Sequence, residues 1–197
     1  EIAAYNRKIL IFLTVIAALM ECFNMVWLTC FSGKGLSSPR NQLYFFLYTI
    51  LLAGALVAAL IAARTRPSGE KGIRRISWLV YLGCTGFCLW GGAVTVLDLQ
   101  KNNNIIVYTL SMLTLAVFIC LTTRQSCIAF LGSLLVFLTA CWVIKPKEIR
   151  MGSFINLIIV CIMCVCISRV RYASRYQNFY KQQIILAQNR EIVEMND

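Results

Sequence analysis

The chain has 197 residues, of which 59% are hydrophobic and only 14% are charged. A soluble domain of this length cannot bury so much apolar surface, so the composition excludes an ordinary soluble globular protein. The formal net charge is +11, and the chain contains no histidine. Because no segment interleaves aromatic and basic residues on a soluble face, we expect the basic charge to direct membrane topology and predict no nucleic-acid partner.

Six apolar stretches follow one another along the chain, at residues 9–31, 43–63, 76–97, 105–121, 127–144 and 154–168. A helix needs about 20 mostly apolar residues to cross a hydrocarbon core that is about 30 Å thick. Lipid also requires every backbone group to be paired internally, which favours helices over open strands. We therefore predict an all-α integral membrane protein, with a six-transmembrane-helix bundle over residues 1–168 and a linker helix over residues 169–197.

The basic residues predict the orientation of this bundle. If the N-terminus is cytoplasmic, 13 of the 19 Lys and Arg residues lie on the cytoplasmic side, five of them in residues 64–75. The positive-inside rule then places both termini in the cytoplasm.

Small residues recur on the second and third spans, where they predict close helix contacts. The second span carries Gly54, Ala58 and Ala62 at steps of four, and the third carries Gly83, Gly86, Gly91 and Gly92.

The ten cysteines also fall in or at the ends of predicted spans. A soft-metal site is one interpretation of Cys84 with Cys88 or of the cluster of Cys161, Cys164 and Cys166, but cysteine also serves as a small hydrophobe in helix contacts. The second interpretation is favoured, and we predict no metal and no cofactor.

Glu21 is the ionisable residue nearest the middle of a predicted span, with Asn24 one helical turn beyond it. An acid at this depth is costly unless it is neutral, paired or facing a cavity, so it is a candidate functional group. A structural hydrogen bond between helices is the alternative.

Asp98, at the outer end of the third span, suggests a second candidate site, an outer pocket with Asn104, Tyr108 and either Arg40 or Arg150. Alternatively, residues 102–104 form a turn and cap the fourth helix. The hypothetical ligand-binding residues are Glu21, Asn24, Trp90, Asp98, Asn104 and Tyr108.

Residues 169–197 contain neither Gly nor Pro and read as a helix that continues the last span. Tyr176, Phe179 and Leu186 belong to a pattern with alternating steps of four and three, which indicates a coiled-coil tendency. A basic amphipathic helix lying on an anionic leaflet is the alternative. We predict that Ser168, Arg169, Tyr176, Phe179 and Leu186 transmit a signal along this helix.

Several short motifs are similar to those of a known family. They are residues 36–39 before the second span, Leu89-Trp90-Gly91 with Asp98, residues 104–108, Ile167-Ser168-Arg169, and the closing REIVEMND. The chain resembles the N-terminal six-span sensor region of bacterial membrane diguanylate cyclases, whose cytoplasmic output is a GGDEF domain. The resemblance implies a parent enzyme in the bacterial cytoplasmic membrane that makes cyclic di-GMP from GTP. The present chain lacks the GGDEF signature and a phosphate-cradling Gly loop, so we expect no catalysis from it.

The function that these features predict is a transmembrane receptor domain that relays a signal to a cytoplasmic output domain. We expect it to form a homodimer in the lipid bilayer and to respond to a small molecule or a lipid. One alternative is a subunit of a small-molecule uptake transporter, in which Glu21 and the cysteines line the substrate path. Another is the sensor region of a histidine kinase or an adenylate cyclase, which shares this membrane architecture.

Overall fold

The computed structural model describes residues 1–33, 35–100, 104–144 and 151–196, and the regular elements in these ranges are all helical. Six α-helices follow in chain order. They are α1 (Ile2–Val26), α2 (Pro39–Arg64), α3 (Gly69–Leu99), α4 (Ile106–Phe118), α5 (Thr123–Ile144) and α6 (Met151–Asn196). A π-helical turn, Trp27–Phe31, extends α1, and a short 3-10 turn, Gly35–Ser37, precedes α2.

Five of the helices are long and apolar enough to cross a membrane, as expected for an integral membrane protein. The exception is α4, which has 13 residues and is therefore only about 20 Å long. The predicted fourth span ran to residue 121, but the helix ends at Phe118 and the backbone of Ile119 is extended. The described residues therefore contain five helices of full spanning length and one shorter apolar helix, α4.

The helices pack around α3. The first two helices form a closely packed pair, and each also contacts α3. On the other side α4 and α5 pack against α3, and α6 packs against both of them. The buried core is accordingly made mainly from α3, α4, α5 and the first half of α6, with Tyr108, Phe130 and Leu157 among its fully buried side chains. By contrast, the buried hydrophobic residues of α2 are two alanines, Ala55 and Ala62.

Local sequence explains where the helices begin. Pro39 occupies the first turn of α2, where its missing N–H is not needed. Gly69 has φ +72, a conformation that favours glycine, at the sharp turn into α3. Thr122 and Gln125 form a capping box at the start of α5, since the Thr122 N–H donates to Gln125 Oε1 at 3.2 Å and the Gln125 N–H donates to Thr122 Oγ1 at 3.3 Å.

The last helix, α6, runs for 46 residues without a break. The prediction that the final span continues as a helix is therefore confirmed up to Asn196, whereas Asp197 lies outside the described residues. The side chains of Tyr176, Phe179 and Leu186 are exposed on this continuation. Whether they pair with a second chain as a coiled coil stays a prediction.

Candidate ligand cavity and transmission helix

We call the two ends of the bundle proximal and distal. At the proximal end α1 begins and α6 leaves the bundle, and Tyr5 meets Phe118 and Arg171 there. At the distal end α3 terminates and α4 begins, and Tyr44 meets Asp98 there. These contacts define the ends without reference to the sides of a membrane.

A cavity of about 590 Å³ lies between α1, α2, α3 and α4. We call it the α1–α4 cavity. Small residues create the space, because a Cβ atom added at Gly54 or at Gly86 would meet no atom within 4 Å. The prediction that small residues mark close helix contacts is therefore wrong at these two positions. It is confirmed at Gly91, where a Cβ would lie 2.6 Å from Ser111 Oγ.

Glu21 lies in the wall of this cavity. Its side chain is only 2% exposed, and its Oε2 atom has no hydrogen-bond partner among the described residues. Asn24 and Trp90 line the same cavity. The Trp90 indole N–H donates to the Leu47 carbonyl oxygen at 3.1 Å, which fixes the ring against α2. Three of the six predicted ligand-binding residues are thus brought together around one space.

The distal end carries a polar cluster that joins α2 to α3. The Tyr44 hydroxyl donates to Asp98 Oδ1 at 2.6 Å. Arg40 donates through Nη2 to the Leu97 carbonyl oxygen at 2.6 Å and to the Tyr44 hydroxyl at 3.2 Å. These bonds join the beginning of α2 to the end of α3, so Asp98 has a structural partner that the sequence did not reveal.

Asn104 and Tyr108 also have structural partners. Asn104 Oδ1 accepts a hydrogen bond of 2.9 Å from the Ile106 N–H, the first backbone donor of α4, although the N-cap position itself is Ile105. Tyr108 is fully buried, and its hydroxyl lies 2.9 Å from the Ser133 hydroxyl on α5. Its ring stacks on Phe137. Asp98, Asn104 and Tyr108 thus each make a contact of their own, and the outer pocket stays a prediction because Asn102, Asn103 and Arg150 lie outside the described residues.

The proximal end contains a set of contacts that sequence reasoning missed, which we call the proximal junction. Asn6 Nδ2 donates to the Cys120 carbonyl oxygen at 2.8 Å, and Asn6 Oδ1 accepts from the Cys120 N–H at 3.0 Å. Non-helical backbone is tolerated at membrane depth only where protein groups satisfy it, and Asn6 does so here. The signal that could have indicated this role is the presence of a polar residue, Asn6, at the start of an otherwise apolar helix.

The proximal junction also holds α6. Arg171 Nη2 donates to the Tyr5 hydroxyl at 3.1 Å, and this hydroxyl donates to the Phe118 carbonyl oxygen at 3.3 Å. The Arg175 guanidinium lies 4.0 Å from the centre of the Tyr5 ring, a cation–π contact. Tyr5 therefore connects α1, the end of α4 and the point where α6 leaves the bundle.

The predicted transmission residues occupy different environments. Ser168 is fully buried next to this point, and its hydroxyl has no partner among the described residues. Arg169 is exposed, as are the later residues Tyr176, Phe179 and Leu186. The environment of α6 thus changes from packed to exposed within a few residues of Ser168.

The cysteines are free thiols, and six of them are buried. Cys84, Cys88, Cys161 and Cys164 belong to the hydrophobic core. No group of three or more Cys, Asp or Glu residues in the described part of the chain is arranged to hold a metal ion. Their packing agrees with the interpretation of cysteine as a small hydrophobe.

Comparison with protein-family models, curated proteins and solved structures found no match for this chain.

Proposed function

We propose that this chain is a membrane sensory domain whose last helix relays the state of the bundle to an output domain. The observation that carries the proposal is α6. With 46 residues it is about 69 Å long, more than twice the thickness of a hydrocarbon core. One rigid element therefore begins in the core of the bundle and ends far outside it.

The proximal junction supports this relay. Arg171 and Arg175 attach α6 to Tyr5 at the place where it leaves the bundle. A rotation or a shift of α1 against α4 would change these contacts and would favour a different position of α6. A signal can bias such an equilibrium only through different affinities for the two positions.

The proposed orientation places the proximal end in the cytoplasm of a bacterial cell. Arg7, Arg171 and Arg175 cluster at this end, and Arg7 donates hydrogen bonds to the carbonyl oxygens of Ala62 and Ala63 at the end of α2. This agrees with the positive-inside rule. In the same orientation we propose that α4, about 20 Å long, and the non-helical residues 119–122 together form a sixth, partly unwound span.

The proposed output is a diguanylate cyclase domain following α6, on the basis of the short motifs that resemble that family. The proposed dimer forms through the exposed face of α6 that carries Tyr176, Phe179 and Leu186. Catalysis would belong entirely to the output domain.

The test is a fusion of a GGDEF-type output domain after Asp197, assayed for cyclic di-GMP synthesis in membranes. The substitution Tyr5→Leu removes both the Arg171 hydrogen bond and the Arg175 cation–π contact. We expect it to change the basal activity at least threefold at equal protein amounts. The matched control Tyr180→Leu alters an exposed tyrosine of the tail, and we expect activity close to that of the parent fusion. Equal activity of the two variants would contradict the relay.

The α1–α4 cavity favours a second function, a subunit for uptake of a small molecule. A carrier would accumulate its solute inside sealed proteoliposomes whether or not residues 177–196 are present. A sensory domain is expected to bind its ligand without accumulation.

A further inference from the structure

We infer that the α1–α4 cavity binds a cationic amphiphile, a molecule with an ammonium head and an alkyl tail, which it takes up from the bilayer. This inference rests on the proposed sensory function and names the chemical class of the signal. Its basis is the combination of an apolar cavity, a lateral opening and one buried acid.

The cavity has the size and the lining of a ligand site. About 590 Å³ lies within the range of about 300–1,000 Å³ that is typical of small-molecule pockets. Along α1 it extends from Leu10 to Asn24, a distance of about 21 Å at the helical rise. Most of its lining is apolar, so an alkyl chain would bury its surface there without leaving polar groups unpaired.

The opening of the cavity faces the bilayer. Leu82 of α3 and Leu110 of α4 line the cavity and are themselves 60% and 61% exposed, so the surrounding helices do not seal it. Both residues belong to apolar helices, whose exposed surface in a bilayer would contact lipid. A ligand dissolved in the membrane would therefore reach the cavity without crossing water.

Glu21 determines the charge of the head group. Among the described residues its buried Oε2 atom has no hydrogen-bond partner, and none of those that line the cavity is Lys or Arg. A buried carboxylate without a counter-charge is strongly destabilising, and a bound ammonium group would supply that charge together with hydrogen-bond donors. Asn24 lines the same end and offers a further acceptor.

The position of Glu21 also sets the direction of the ligand. It lies near the distal limit of the cavity, and the lining continues towards the proximal end through Thr14, Leu13 and Leu10. The head group would therefore bind at Glu21, with the tail pointing along about 16 Å of α1 towards the proximal junction. Binding would fill the space between α1 and α4, the two helices that Tyr5 and Asn6 connect at that junction.

The experiment uses the whole chain in nanodiscs, with thermal unfolding as the readout. Dodecylamine, dodecanol and laurate have closely similar alkyl tails and differ in the charge of the head group. We expect a saturable rise in the unfolding midpoint with dodecylamine, at least tenfold weaker binding of dodecanol, and no saturable effect of laurate.

Three variants assign this binding to the cavity. Glu21→Gln removes the charge, and we expect dodecylamine and dodecanol to bind it with equal affinity. Gly86→Leu keeps the acid but fills the cavity, and we expect saturable binding to disappear. Glu70→Gln neutralises an exposed acid at the start of α3, and we expect it to behave as the unmodified chain.

Equal binding of dodecanol and dodecylamine to the unmodified chain would overturn the inference, as would unchanged binding to Gly86→Leu or no saturable binding at all. If Glu21→Gln does not fold, Gly86→Leu and the three head groups still decide the question. The relay test with Tyr5→Leu uses no ligand, so a failure here is distinguishable from a failure of the proposed function.

Discussion

The α1–α2 pair and the central helix α3 differ in the fraction of their residues that is buried. The more apolar helices are the less buried ones, which is typical of membrane bundles and not of soluble proteins. In its most apolar stretch, 44% of the residues of α3 are buried, compared with 17% for α1 and 11% for α2. Yet α3 is the least apolar of the five long helices and α2 the most apolar. In lipid the most apolar surface has no reason to turn inward, whereas small and polar residues pack at helix contacts.

This difference suggests that the core around α3 and the α1–α2 pair have different roles. The core around α3 is packed tightly enough that a single methyl group at Gly91 would meet Ser111 and Tyr108. The α1–α2 pair leaves a cavity against that core. It is attached to the core by hydrogen bonds at three depths, through Asn6, Trp90 and Tyr44. We expect the core to be the fixed part and the pair to be the part that responds.

The largest expected effect comes from Asn6→Ala. This substitution leaves the buried N–H and C=O groups of Cys120 without their partner, at a cost of about 1–3 kcal/mol for each group. We expect a loss of about 2–4 kcal/mol in the free energy of unfolding in lipid nanodiscs. The control is Asn41→Ala at the distal end, where the lost bonds to Ser32 and Gly35 are only partly buried and water can replace them. An equal loss in the two variants would mean that the proximal junction is no stronger than a loop contact.

A smaller effect is expected from Gly91→Ala in the core. The added Cβ would lie 2.6 Å from Ser111 Oγ and 3.0 Å from Ser111 Cβ, so α3 and α4 must move apart. Overpacking of this kind costs about 1–3 kcal/mol. Gly54→Ala in the α1–α2 pair is the matched control, and we expect no loss there because the methyl group enters open space. Unfolding of the two variants in the same lipid measures the contrast directly, and a double variant Gly91→Ala, Ser111→Gly should recover most of the lost stability. Similar losses at Gly91 and Gly54 would remove the distinction between the core and the pair.

The smallest effect is expected from Tyr44→Phe at the distal end. It removes the hydroxyl that donates to Asp98 at 2.6 Å and accepts a longer bond of 3.2 Å from Arg40. Because both bonds are only partly buried and water can replace them, we expect the free energy of unfolding to fall by about 0.5–1.5 kcal/mol. Arg40 keeps its bond to the Leu97 carbonyl oxygen and so continues to join α2 to α3. Tyr180→Phe, on the exposed tail, is the control without a structural partner to lose in the bundle. A loss at Tyr44 as large as that at Asn6 would show that the pair is held mainly at its distal end.

Much of the fold follows from hydropathy alone. Five of the six predicted spans, the Asn104 bond to the start of α4 and the unbroken continuation of the last span could be predicted from apolar length and local side-chain chemistry. The end of α4 could not be predicted in this way, because Ile119, Cys120 and Leu121 are as apolar as the helix before them. The backbone groups of Cys120 are paired instead with Asn6, which lies 114 positions away in the chain.

The candidate site was only half predictable for a similar reason. Glu21 and Asn24 are one turn apart on a single helix, so their proximity could be read from the sequence. The cavity beside them depends on which faces of α2 and α3 meet. The sequence does not distinguish a glycine in a close helix contact from a glycine that lines a cavity. Gly91 and Gly86 illustrate both outcomes on one helix.

The measurement that tests the relay most directly is a series of insertions of one to four residues after Tyr180 in the fusion with a GGDEF-type output domain. Each inserted residue rotates the output by about 100° relative to the bundle, and about four residues restore the original phase. We expect cyclic di-GMP synthesis to fall or rise sharply with two inserted residues and to return towards the parent value with four. Activity that is the same for every insertion, or that declines steadily with length, would contradict the transmission of a signal through α6.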